Sequence, residues 1–267
     1  MPPENDLPAA APARYRFLKL SGWPLAIALT ILYLVLLSVL FLFHPVTPES
    51  ADLTYLEDWW ARAITAAVFI GLAIRSGIRM QQSHRVPRSA LLLIIPVGIM
   101  TVGAVLSVIA PGTRWGSMVF VVVGTISVGI AEEIIYRGFV LNIFAQRYTA
   151  PVAVLLSSVV FSVMHLGALQ PTDLIVPFFL GLGLGWIYIR SDRNLWLVIA
   201  LHAVYDLTQA ALKLTTEAAQ ILVVGGLVLT LVLSTVYAVI MSIRWRGARL
   251  DADEPTAAGG SADPAAA

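Results

Sequence analysis

The 267-residue sequence has no cysteine and few charges: Lys, Arg, Asp and Glu together make up 12% of it. Without cysteine there is no thiolate nucleophile, disulfide framework or thiolate metal site. A soluble domain carries about 25% charged residues, and a chain of this size with half that proportion cannot cover a water-facing surface. It is 58% hydrophobic with a mean hydropathy of +0.84, which also excludes disorder. The net charge of +1 and the lack of a basic stripe interleaved with aromatics leave no footprint for nucleic acid. What remains is an all-α, polytopic membrane protein.

Residues 1–20 form a Pro- and Ala-rich tail without the basic and apolar regions of a signal peptide, and 247–267 form a second solvated tail. Between them, a transmembrane domain over 21–246 contains eight apolar segments, at about 23–43, 59–77, 90–110, 118–144, 151–166, 173–189, 195–212 and 219–243. The runs are continuous rather than alternating, which argues for helices and against barrel strands. The fourth is long enough to bend or to extend beyond a bilayer.

Thirteen of the 17 basic residues flank alternate segment ends: Arg14, Arg16 and Lys19; Arg75, Arg79, Arg85 and Arg88; Arg147; Arg190 and Arg193; Arg244, Arg246 and Arg249. Only Arg62, Arg114 and Lys213 lie near the opposite ends. The positive-inside rule therefore predicts both termini in the cytoplasm and an even number of spans, in agreement with the eight segments. No internal repeat is visible, which gives little support to a transporter built from related halves.

Few ionisable side chains lie inside the apolar segments: Glu132, Glu133 and Arg137 in the fourth, His165 in the fifth, His202 and Asp206 in the seventh. A charge at mid-bilayer costs at least about 2.5–3.5 kcal/mol, so these groups should face one another. Glu133 and Arg137, at i and i+4, can neutralise each other on one helical face. Glu132 lies about 100° away and lacks that partner. Phe161 and His165 share a face, as do His202 and Asp206, where the carboxylate can orient the imidazole.

A Glu beside a His can deprotonate a water, while a second His with a hydrogen-bonding neighbour stabilises the oxyanion formed at a carbonyl. The same groups could instead hold a divalent metal such as zinc, through Glu132, His165 and His202. A catalytically silent scaffold or immunity-type protein, and a proton-coupled transporter, stay open as readings of the same polar cluster. The HExxH of a zinc protease and the GxSG of a rhomboid-type protease are absent, and the GLGLG run at 181–185 has no Asp beside it. Gly181 and Gly185 stand in the spacing of close helix packing.

The ordered set EExxxR at Glu132, Glu133 and Arg137, FxxxH at Phe161 and His165, and HxxxD at His202 and Asp206 resembles the CPBP family of CAAX-processing and bacteriocin-processing membrane peptidases, over a core of about 118–212. The resemblance implies an intramembrane endopeptidase acting on a peptide or protein substrate in lipid. Glu132 and His165 would act on the attacking water and His202 with Asp206 on the oxyanion side, with Glu133, Arg137 and Phe161 in support. The last position is often Asn in the CAAX-processing branch, and an ionised Asp cannot donate a hydrogen bond as an Asn amide can. Counted along straight helices, Glu132 and His202 fall in the cytoplasmic half and His165 nearer the outside, so the fifth helix is expected to tilt or dip.

Overall fold

The computed structural model describes residues 23–42, 58–80, 86–108, 115–165, 172–212 and 217–245. Both expected tails lie outside these residues. The described chain is helical and follows the apolar segments closely, because burial and lipid exposure both select the same side chains along each run. The helices are α1 (Trp23–Leu42), α2 (Trp59–Arg75), α3 (Leu91–Val108), α4 (Trp115–Glu133), α5 (Ala150–Val163), α6 (Thr172–Arg190), α7 (Leu195–Leu212) and α8 (Glu217–Arg244). The long fourth segment does not stay α-helical throughout. α4 runs into a π-helical stretch, Ile134–Leu141, and a last α turn, Asn142–Ala145.

Local chemistry fixes the junctions nearest the polar residues. Thr149 is extended and Pro151 follows in the first turn of α5, where its missing N–H has no helical acceptor to leave unpaired. Between α6 and α7, Asp192 and Arg193 take left-handed backbone angles, φ 53° and 60°, and reverse the chain. Ser191 Oγ accepts from the Asn194 N–H, and Asn194 Oδ1 accepts from the Leu197 N–H, capping α7. This cap starts α7 two turns before His202.

Glycines set the closest helix approaches. A Cβ on Gly129 of α4 would lie 3.2 Å from both Ala203 N and Ile199 O of α7. One on Gly181 of α6 would lie 3.1 Å from Ser158 Cβ and 3.2 Å from Phe161 Cδ1 of α5, while one on Gly185 would meet Val154 Cγ1 at 3.0 Å. The Gly181/Gly185 pair thus packs α6 on α5, as its spacing suggests.

α4 packs against α2, α7 and, through its π stretch, α5, while α3, α6, α7 and α8 form the neighbouring bundle. Two apolar clusters result, one centred on α3, α6, α7 and α8 and the other on α1, α2, α5 and the π stretch. The exterior is apolar too: α8 exposes Val224, Val228, Val232, Val236 and Ile240, and α1 exposes Ile27, Ile31, Leu34 and Val35. Hydroxyls point inward; Thr125, Ser127, Ser158, Thr208 and Thr230 are buried and donate to backbone carbonyls three or four residues back. An apolar outside over a hydroxyl-bearing inside suits lipid as solvent. Among the described residues, Val119–Ala145 and Val224–Arg244 are long and apolar enough to cross a membrane, and five other apolar helical stretches are shorter.

Candidate active site

Five of the six ionisable residues picked out in the apolar segments meet where α4 faces α7, and the sixth, His165, lies beside them at the end of α5. Glu133 is wholly buried, and its Oε1 accepts from two directions. Arg137 Nη1 donates at 2.9 Å from one turn along, and His202 Nδ1 donates at 2.7 Å from α7. The intrahelical ion pair anticipated from the i, i+4 spacing is present, but Glu133 does more than neutralise Arg137. It is also the acceptor that orients His202. With its proton on Nδ1 for that bond, the ring turns Nε2 toward Glu132 Oε2 at 3.8 Å and Asp206 Oδ2 at 3.6 Å.

Asp206 is therefore not the hydrogen-bond partner of His202 that HxxxD suggested. Its oxygen stands beyond hydrogen-bonding distance, and a Glu from another helix fills the orienting role. The i, i+4 rule describes neighbours on one helix and carries no information about the facing one.

Glu132 is buried and has two unlike oxygens. Oε1 accepts a hydrogen bond from Tyr33 Oη of α1 at 2.7 Å, whereas Oε2 has no hydrogen-bond partner among the described residues. Tyr33 went unnoticed in the sequence because an uncharged hydroxyl in an apolar run does not stand out as a charge does.

Phe161 is the apolar hub. Its ring lies 5.0 Å from that of His165 and 5.8 Å from that of His202, centroid to centroid, and the Arg137 guanidinium carbon stands 4.8 Å from its centre. Cation–π attraction and an Nη2 bond to the Gly181 carbonyl at 3.3 Å add to the Glu133 pair around the buried Arg137, whose Nε has no hydrogen-bond partner among the described residues. One aromatic ring thus lies within 5.8 Å of both imidazoles, centroid to centroid. His165, half-buried, donates from Nδ1 to the Phe161 carbonyl at 2.9 Å, leaving Nε2 as an acceptor.

The π stretch begins immediately after Glu133. Side chains donate to its carbonyls: Ser157 Oγ donates to Tyr136 O at 2.9 Å, and Asn142 Nδ2 donates to Gly138 O at 2.8 Å and Arg137 O at 3.0 Å. Single π turns concentrate at functional sites. Pro177 interrupts the first turns of α6, and Ser162 Oγ donates across from α5 to Leu174 O at 2.6 Å, tying the end of α5 near His165 to that loosened stretch.

Among the described residues no group of three or more His, Asp or Glu side chains is arranged to hold a metal ion, so Glu132, His165 and His202 do not form a ready ligand set. The geometry offers instead a carboxylate oxygen without a partner beside an oriented imidazole. Chemically, that pairing can accept a proton on one side and donate one on the other.

No curated protein sequence matches the chain. Residues 114–208 match the family model described as type II CAAX prenyl endopeptidase Rce1-like. The match spans all seven residues of the three motifs and excludes Tyr33. Its family is one of membrane proteins, and the buried Glu132, Glu133 and His202 cluster is consistent with the active site such a peptidase requires. Over α4 to α7, the chain is thus similar to the Rce1-like CAAX endopeptidase family.

Proposed function

We propose that the protein is an intramembrane endopeptidase of the cell membrane, hydrolysing a peptide bond in a membrane-associated precursor, with prenylated peptides as the first substrate class to try. The observation that carries this reading is the unpartnered Glu132 Oε2, 3.8 Å from an imidazole nitrogen whose opposite nitrogen is fixed by Glu133. Glu133 Oε2 is likewise without a hydrogen-bond partner among the described residues, so what singles out Glu132 is the imidazole nitrogen that its free oxygen faces.

In the proposed reaction, Glu132 Oε2 takes a proton from water, with His165 Nε2 accepting a hydrogen bond from the same water, and the hydroxide oxygen adds to the scissile carbonyl. His202, as imidazolium, donates from Nδ1 to Glu133 and from Nε2 to the oxyanion. Asp206 and Glu133 balance that cation, while Arg137 balances Glu133. When the tetrahedral intermediate collapses, the C–N bond breaks and Glu132 returns its proton to the leaving amine. An ionised Asp206 acts through His202, because it has no proton to offer the oxyanion.

The test uses full-length protein in lipid nanodiscs and a fluorescence-quenched peptide ending in a farnesylated CaaX sequence, beside its unprenylated twin. Mass spectrometry identifies the new terminus. Glu132→Gln is expected to lower kcat by about 100-fold or more, the range lost with a general base. Wild-type-like cleavage by a well-folded Glu132→Gln protein would sink the reading. Proton-coupled flux without cleavage would replace it with the transporter.

A further inference from the structure

We infer that Tyr33 of α1 is a positioning residue for Glu132, selecting which carboxylate oxygen faces the reacting water. This rests on the peptidase reading above and adds a component from outside residues 114–208.

Tyr33 is buried on the inner stripe of α1, with Leu25, Ala26, Leu29 and Thr30, and Phe69 of α2 meets its ring edge-on at 6.0 Å. The phenol is thereby held in one orientation. Its hydroxyl donates to Glu132 Oε1 at 2.7 Å, a length typical of hydrogen bonds to a charged acceptor. A Glu side chain has three rotatable bonds, and without this contact either oxygen of Glu132 could turn toward His202. With it, Oε1 is occupied and Oε2 alone faces Nε2.

The arrangement is asymmetric in a useful way. Of the two buried glutamates, Glu133 is fixed by Arg137 and His202 from within the Rce1-like match, whereas Glu132 receives its hydrogen bond from a helix in the preceding part of the chain. α1 packs on α2 and on the π stretch that follows Glu133, so the hydroxyl and the carboxylate belong to elements in contact. Positioning of this kind acts on the reaction and only weakly on substrate capture, because Tyr33 touches the base.

Tyr33→Phe removes the hydroxyl and keeps the ring against Phe69. With full-length protein in nanodiscs and the farnesylated peptide as probe, kcat is expected to fall about tenfold or more while KM stays within about twofold. The substitution should add nothing in the Glu132→Gln background. Infrared difference spectra of wild type against Tyr33→Phe should show a shifted carboxyl band that is absent when both proteins carry Glu132→Gln, and this readout needs no turnover. An unshifted band overturns the contact; a shifted band with unchanged kcat, or with only KM raised, overturns the positioning role. If wild type cleaves nothing while the band still shifts, the peptidase reading fails and takes the catalytic role with it, although the Tyr33–Glu132 contact stands.

Discussion

Glu132 and Glu133 are adjacent in sequence and opposite in dependence. Removing Arg137 leaves Glu133 buried with one of its two donors gone, and breaking a buried ion pair by deleting one partner costs about 3–5 kcal/mol. Arg137→Ala should therefore lower the thermal unfolding midpoint of the detergent-solubilised protein sharply. Glu132→Gln keeps an acceptor for Tyr33 and replaces an oxygen that had no partner, so its stability change should stay within about 1 kcal/mol. Equal destabilisation by both would mean that the cluster is a folding device and the division of labour is wrong. The Glu133–Arg137 pair was legible in the sequence because its partners share one helix with a known period. The Glu133–His202 and Tyr33–Glu132 bonds were not, because they depend on how separate helices are set against each other, and no local pattern records that register.

Helix positions were legible to within a few residues, since mean hydropathy over some twenty positions is insensitive to detail. The π stretch at Ile134–Leu141 was not, because it changes the hydrogen-bond register while leaving composition unchanged. Gly129 shows how an element-level feature reaches the site. It lies one turn before Glu133, and the atoms a Cβ would meet at 3.2 Å are backbone atoms of α7, the helix that bears His202. Backbone cannot rotate aside as a side chain can, so Gly129→Ala must move α7 relative to α4. Cleavage of the farnesylated peptide is expected to drop about tenfold, since misplacement of reacting groups by about 1 Å can cost still more, and the unfolding midpoint should fall. Gly71→Ala on α2 is the control: nothing lies within 4 Å of its added methyl, and losing a helical glycine stabilises by about 0.5–1 kcal/mol. If the two variants behave alike, close approach of α4 and α7 does not set the site.

For the molecule as a whole, the missing cysteines become an experimental advantage. Every single-cysteine variant carries one thiol and no other in the chain, so membrane sidedness can be read without first removing native cysteines. The thirteen basic residues at alternate segment ends predict both termini and the α6–α7 turn inside, with residues 44–58 outside. In intact cells a membrane-impermeant maleimide should label Ser50→Cys and spare Ala10→Cys and Ser261→Cys; inverted membrane vesicles should give the reverse. Labelling of Ser50→Cys and Ser261→Cys from the same side would exclude the eight-span topology. That topology also bears on the chemistry. If α4 enters from outside at Trp115 and emerges inside after Ala145, Glu132 lies 13 residues from its inner end. At about 1.5 Å per residue this is some 20 Å along the helix, just inside the midplane. A substrate anchored in the inner leaflet and reaching inward from the cytoplasmic surface has the shorter path to that depth, so peptide supplied to inverted vesicles should be cleaved and peptide confined to the outer face of intact cells spared.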